Sequence, residues 1–190
     1  SVGTGGEEGR EGGRGPATKG YRRVTLDNGL RVAAERMESV RSVALGLWVA
    51  AGSRLEPVEL GGISHFIEHL IFKGSAKYSA AQIAHIFDDM GAEPNASTSK
   101  EHTLVNSRLL DDDLDTAFEL IAEMVARPTF ADLDQEREVV LEEVAMYEDS
   151  PDELVHDDLC EIVFGEHPLG RPIIGHSETL AGLDLETVRA

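Results

Sequence analysis

The 190-residue sequence is 41% hydrophobic and 28% charged, the balance of a globular chain long enough to bury a substantial core. Its formal net charge of −19 argues against binding to nucleic acid or an anionic membrane, and no apolar run approaches a membrane span. A lone cysteine, Cys160, excludes an internal disulfide and any multi-cysteine metal site, and a cytoplasmic setting is expected.

Residues 1–20 are mostly Gly with Glu and Arg between, so little apolar surface offsets their ordering entropy and a disordered tail is expected. Tyr21–Leu26 and Leu30–Glu35 flank Asp27-Asn28-Gly29, a strong hairpin signal. The run Ser42–Ala50 is apolar enough for a strand covered on both faces, with Trp48 in the core. Gly52 and Pro57 mark a loop, and Gly61-Gly62 lead into a first helix. Ser79 is placed to cap a second helix reaching Met90, with Ile83, Ile86, Phe87 and Met90 as its apolar stripe and Gly91 as its stop. Glu93–Ser99 and His102–Leu110 read as two further strands. A third helix follows Asp111-Asp112-Asp113, with Leu114, Ala117, Phe118, Ile121 and Val125 inward, until Pro128 ends it. A fourth runs from near Asp132 to near Asp149. Ser150-Pro151-Asp152-Glu153 has the form of a capping box that opens a fifth, ending near Phe164. Beyond Gly165 the chain reads as loop, with a last helix starting near Ser177. Early strands and interleaved helices without βαβ regularity predict an α+β fold, an antiparallel sheet with helices packed on it.

The first helix is Ile63-Ser64-His65-Phe66-Ile67-Glu68-His69-Leu70-Ile71-Phe72. Ile63, Phe66, Ile67, Leu70 and Ile71 cover most of its circumference, which predicts burial. Its one polar stripe is His65, Glu68 and His69, at i, i+3 and i+4 on one face. Burying three ionisable groups is unfavourable unless something satisfies them, and a divalent metal would. The pattern H-x-x-E-H is that of the inverzincins, with His65 and His69 as imidazole ligands and Glu68 as the base for an attacking water. Catalytic zinc takes a third protein ligand. On the fourth helix, Leu133, Val139, Val140, Val144 and Tyr147 define an inner face, and Glu136 and Glu143 both fall on it. Either could complete the site while the other orients a histidine or the substrate. Periodicity leaves that choice open.

Several stretches resemble the M16, or pitrilysin-type, zinc metallopeptidases. Among these they are most similar to the bacterial processing-peptidase branch, which includes the catalytic β subunit of the mitochondrial processing peptidase. The stretches are Leu26-Asp27-Asn28-Gly29-Leu30, Ala51-Gly52-Ser53-Arg54-Leu55-Glu56 and the run from Gly62 to Gly74. Asn95-Ala96-Ser97-Thr98-Ser99-Lys100-Glu101-His102-Thr103 and the run from Glu136 to Glu143 complete them. The resemblance implies one Zn2+ per chain held by His65, His69 and Glu143, Glu68 as the catalytic base, and Glu136 as a carboxylate behind the ligands. It implies that Asn95, Ala96, Ser97 and Thr98 lie on an edge strand to which a peptide substrate adds, with Asn95 near the scissile bond. Residues 21–190 would then be the N-terminal catalytic domain of a processing-peptidase-like endopeptidase. Family members resemble two similar halves closing round a chamber, the second supplying substrate-gripping residues that include an Arg and Tyr pair. Expected partners are therefore a peptide, basic to suit the acidic surface, and the second half of the peptidase, another chain or a second copy. The alternative implied function is a zinc-binding but inactive fragment or assembly subunit that needs a partner chain.

Overall fold

The computed structural model describes Gly20–Ala190; apart from Gly20, the tail expected to be disordered lies outside the described residues. The chain divides into two compact units with the boundary after Arg41. The first contains the hairpin, β1 (Tyr21–Thr25) and β2 (Arg31–Glu35), paired antiparallel from Tyr21↔Glu35 to Thr25↔Arg31. Its turn closes where Leu26 N–H donates to Leu30 O at 2.8 Å and Gly29 N–H donates to Leu26 O at 2.8 Å. Gly29 sits at φ +86°, the left-handed position that makes Asn-Gly productive here.

The second unit is built on β3 (Ser42–Val49), β4 (Glu93–Thr98) and β5 (Thr103–Leu110), antiparallel in the order β3-β5-β4. Around them are α1 (Ile63–Leu70), α2 (Ala80–Asp89), α3 (Leu114–Ala126), α4 (Leu133–Glu148), α5 (Pro151–Phe164), α6 (Ser177–Ala181) and α7 (Leu185–Arg189). The α+β class expected from the sequence is therefore observed. Among the described residues, no helix is long and apolar enough to cross a membrane.

One core cluster joins the sheet to α2 and α3 through Val105, Leu109, Ile83, Phe87, Ala117, Leu120, Ile121 and Met124. The other joins α1 and α4 to the C-terminal helices through Phe66, Leu70, Val140, Val144, Leu180, Leu183 and Val188. Ile67 packs against both, so α1 lies at their seam. Nothing from Gly61 to Lys73 is exposed, as the nearly all-round apolar surface of this helix predicts. Phe66 and Leu70 are both 0% exposed, and burial of each stabilises the fold by about 1.5–3 kcal/mol.

Some expectations need correction. Trp48 is 64% exposed rather than core. Side chains alternate along β3, and Val43, Leu45 and Leu47 take the covered face, which leaves Trp48 on the other. Its ring crosses Gly46, where a Cβ would stand 2.7 Å from it. On α3 the buried stripe is Ala117, Leu120, Ile121 and Met124; Phe118, one step off that face, is 55% exposed. Pro151 does open α5, but the Ser150 side chain accepts no capping bond. α5 also buries none of its residues: Val155, Leu159, Ile162 and Val163, spaced i, i+4, i+7 and i+8, form an outward apolar stripe. By contrast, Ser79 caps α2 as expected, in a reciprocal box with Gln82.

Candidate metal centre

The apolar faces of α1 dictate where its polar stripe points. With Phe66 and Leu70 pressed against Val140 and Val144 of α4, His65, Glu68 and His69 are left on the remaining face. On α4, Glu136 and Glu143 lie seven residues apart, nearly two turns, and so reach the same side of α1 at two heights.

His65 Nε2 stands 3.7 Å from Glu143 Oε1, and His69 Nε2 stands 3.2 Å from Glu143 Oε2. One ligand atom from each of the three residues lies within 4.8 Å of the others. Donors on one tetrahedral zinc, with bonds of about 2.0–2.2 Å, are about 3.3–3.5 Å apart. Two imidazoles and a carboxylate at these spacings fit such an ion, and the three protein donors leave a fourth position open. The two rings meet edge to face, centroids 4.8 Å apart.

The other nitrogen of His69, Nδ1, is 3.2 Å from Glu136 Oε1, and Lys73 Nζ donates to Glu136 Oε2 at 2.7 Å. Glu136 is therefore a nearly buried carboxylate, its side chain 6% exposed, held between a histidine and an ammonium. A carboxylate on the outer nitrogen of a ligating histidine fixes its tautomer and ring orientation. The wheel left Glu136 and Glu143 as alternatives; the structure brings only Glu143 into the group with both histidines. His65 Nδ1 is buried without a partner. Burial pushes the His65 pKa below its ordinary value, against the pull of Glu143, and so favours the neutral imidazole that can bind metal.

Glu68 accepts a 2.5 Å hydrogen bond from Thr98 Oγ1 at the end of β4. Of the four β4 residues expected to contact substrate, Thr98 thus reaches the α1 stripe and Ala96 packs on the core beside it. Asn95 and Ser97, alternating with them, are exposed on the opposite face. The structure does bring β4 to the edge of its sheet, beyond β5.

Two further groups escaped sequence reasoning. Lys73, four residues after His69, had a readable signal in that spacing. Glu56 is buried against the start of α1, and nothing in periodicity marked it. Cys160 is half-buried on α5, while His85 is exposed, with its Nε2 3.5 Å from Asp89 Oδ2 one turn along the same helix.

Residues 31–177 match the family model described as Insulinase (Peptidase family M16). The chain is 45% identical over 170 residues to the uncharacterized zinc protease YmxG of Bacillus subtilis, an alignment covering 88% of this chain and 42% of the relative. A crystal structure of a protease from Helicobacter pylori superposes with a TM-score of 0.84 at 28% identity, covering 89% of this chain and 42% of that one. A structure described as a peptidase M16 inactive domain, from Pseudomonas fluorescens, superposes with a TM-score of 0.82 at 22% identity, a likeness of fold alone. It is matched over 90% of this chain and 42% of its own length. The chain spans about two-fifths, 42%, of the length of each of these proteins.

Proposed function

The chain belongs to the insulinase-type peptidase family, M16, and on that premise we propose that it carries the catalytic metal centre of a zinc-dependent endopeptidase of processing-peptidase type. Its residues 21–190 then serve as the N-terminal domain of a longer architecture, in a cytoplasmic setting. The observation that carries this reading is the convergence of His65, His69 and Glu143 on one point, with Glu68 beside them.

In this proposal His65 Nε2, His69 Nε2 and Glu143 hold one Zn2+, and Glu136 keeps His69 turned toward it. Zinc bound there supplies Lewis-acid polarisation of the scissile carbonyl and of water. Glu68 takes the proton of the attacking water on its carboxylate and passes it to the leaving amine. Thr98, donating to Glu68 Oε2, holds that carboxylate in one orientation while its other oxygen stays available. The edge position of β4 supports a peptide laid along it as an added strand, with main-chain bonds providing register. Asn95 and Ser97 then contribute from the outward face of that strand. A net charge of −19 favours basic peptides.

A second reading is favoured by α5. Its outward stripe of Val155, Leu159, Ile162 and Val163 suits burial against further polypeptide, whether a second half, another chain or a second copy. Together with the 42% coverage of the relatives, this supports a chain that binds zinc yet cleaves weakly until the rest is supplied. Metal analysis and peptide hydrolysis of wild type and Glu68→Gln separate the two. Glu68→Gln should keep its zinc and lose all cleavage. An absence of stoichiometric zinc in the wild type would end both readings.

A further inference from the structure

The segment Ala51–Glu56 has no role in the chemistry above, yet its last residue is bound to the metal-site helix. Glu56 is 8% exposed. Its Oε2 accepts from Gly62 N–H at 2.8 Å and its Oε1 accepts from Ser64 N–H at 2.8 Å. These amides belong to the set that the start of a helix leaves without partners. Gly62, the N-cap residue of α1, has no side chain to satisfy them, and it sits in the left-handed region at φ +93°. Glu56 therefore does from another element what a capping side chain does locally. It also sets a full negative charge at the positive end of the helix, with two charge-assisted bonds.

The turn that carries Glu56 is fastened to the connection that follows Thr98. In that turn, Ser53 N–H donates to Ser99 O at 3.2 Å and Arg54 N–H donates to Lys100 O at 2.8 Å. The Glu56 carbonyl accepts from Arg171 Nη2 at 2.8 Å. Across the helix start, Thr179 Oγ1 donates to Gly61 O at 2.9 Å, and a Cβ on Gly62 would stand 2.7 Å from Ile174 O. The start of α1 is thus clamped on two sides, and the Glu56 side leads directly to the end of β4.

We propose that Glu56 is a positioning residue for the metal centre: it ties the first turn of α1 to the β4–β5 connection. It thereby sets the helix height at which His65 and His69 meet Glu143 and Glu68 meets Thr98. This rests on the zinc reading of the site, and it acts through α1 rather than by touching metal or substrate.

The test uses the whole 190-residue chain as wild type, Glu56→Gln, Glu56→Ala and Asp184→Ala. Asp184 caps α7, accepting from Thr187 N–H at 2.8 Å, and serves as a comparator whose loss weakens a helix start away from the metal. Zinc dissociation constants come from competition with a chromophoric chelator, corrected for the folded fraction, alongside the thermal midpoint of each metal-free protein. Glu56→Gln, which keeps one acceptor oxygen, should bind zinc about tenfold more weakly and Glu56→Ala up to about a hundredfold, the range for groups that orient ligands. Asp184→Ala should lose thermal stability and keep the wild-type affinity. If Glu56→Ala does not fold, Glu56→Gln decides. Affinity within twofold of wild type in the folded fraction of the Glu56 variants overturns the proposal alone. A wild type that binds no zinc overturns the metal-centre reading, and this proposal with it.

Discussion

Replacing Glu136 by Gln tests whether, in the proposed centre, this carboxylate orients a ligand or is one. The substitution keeps shape and one acceptor, but removes the charge that sits 2.7 Å from Lys73 Nζ and 3.2 Å from His69 Nδ1. Breaking a fully buried ion pair costs about 3–5 kcal/mol, whereas an exposed pair is worth about 0–1. Glu136 is 6% exposed but Lys73 is 34% exposed, so water can take over part of the ammonium's solvation. The expected loss lies between those limits, about 1–2 kcal/mol, or a fall of roughly 2–8 °C in the melting temperature of the metal-free chain. Zinc affinity should drop about 10- to 100-fold, because His69 loses the partner that fixes its ring. Glu143→Gln should behave oppositely: little change without metal, since its side chain is 46% exposed, and a larger loss of zinc. Chelator competition and thermal scans on both variants give the comparison. If Glu136→Gln bound zinc as wild type does, the histidine contact would be idle. Should it lose more zinc than Glu143→Gln, the two roles would be exchanged.

Thr98→Val should leave zinc affinity unchanged while lowering kcat/KM about tenfold or more, as expected for losing a hydrogen bond to a charged group. An unchanged rate with a peptide substrate would remove Thr98 from the mechanism. Because burial depresses the His65 pKa below its ordinary 6.5, the unfolded chain takes up this proton first as pH falls. The stability of the metal-free protein from this group should thus be complete above pH 6.5 and decline as pH drops through the interval down to the lower folded value. Thermal scans against pH should show that decline in wild type and a smaller one in His65→Gln. Phe66→Ala should cost about 3–5 kcal/mol in urea denaturation, and Trp48→Ala less than about 1 kcal/mol, since Phe66 is 0% and Trp48 64% exposed. Equal losses would contradict the outward placement of Trp48.

The centre was legible where one helix carried its own evidence. His65, Glu68 and His69 occupy the single polar stripe of a helix otherwise apolar, and such a stripe needs a partner wherever the helix is buried. Glu136 and Glu143 were equally legible as a pair and not as individuals, because a wheel reports direction and not height along α4. Only the packing of Val140 and Val144 on Phe66 and Leu70 sets which carboxylate meets both imidazoles. Trp48 and Phe118 were misread for a shared reason. A place in the strand for Trp48 and helical spacing for Phe118 both predict core, while the covered faces go to smaller neighbours: Val43, Leu45 and Leu47 in β3, Leu120 and Met124 in α3. Glu56 left no local trace, since its partners are backbone amides six and eight residues away, which any sequence presents.

The alternation along β4 makes the end of the sheet that meets α1 sensitive to counting. Thr98 and Ala96 point one way and Asn95 and Ser97 the other. One residue inserted between Gly91 and Glu93, if taken up as a register slip, would exchange the two sets and offer Glu68 a different side chain without altering a single residue of the strand. One residue inserted at Asp27-Asn28-Gly29 only lengthens a loop between strands that are exposed throughout. Natural or engineered length changes should therefore collect at the first hairpin and be missing from the approach to β4, so that spacing there is as much a part of the centre as the ligands are.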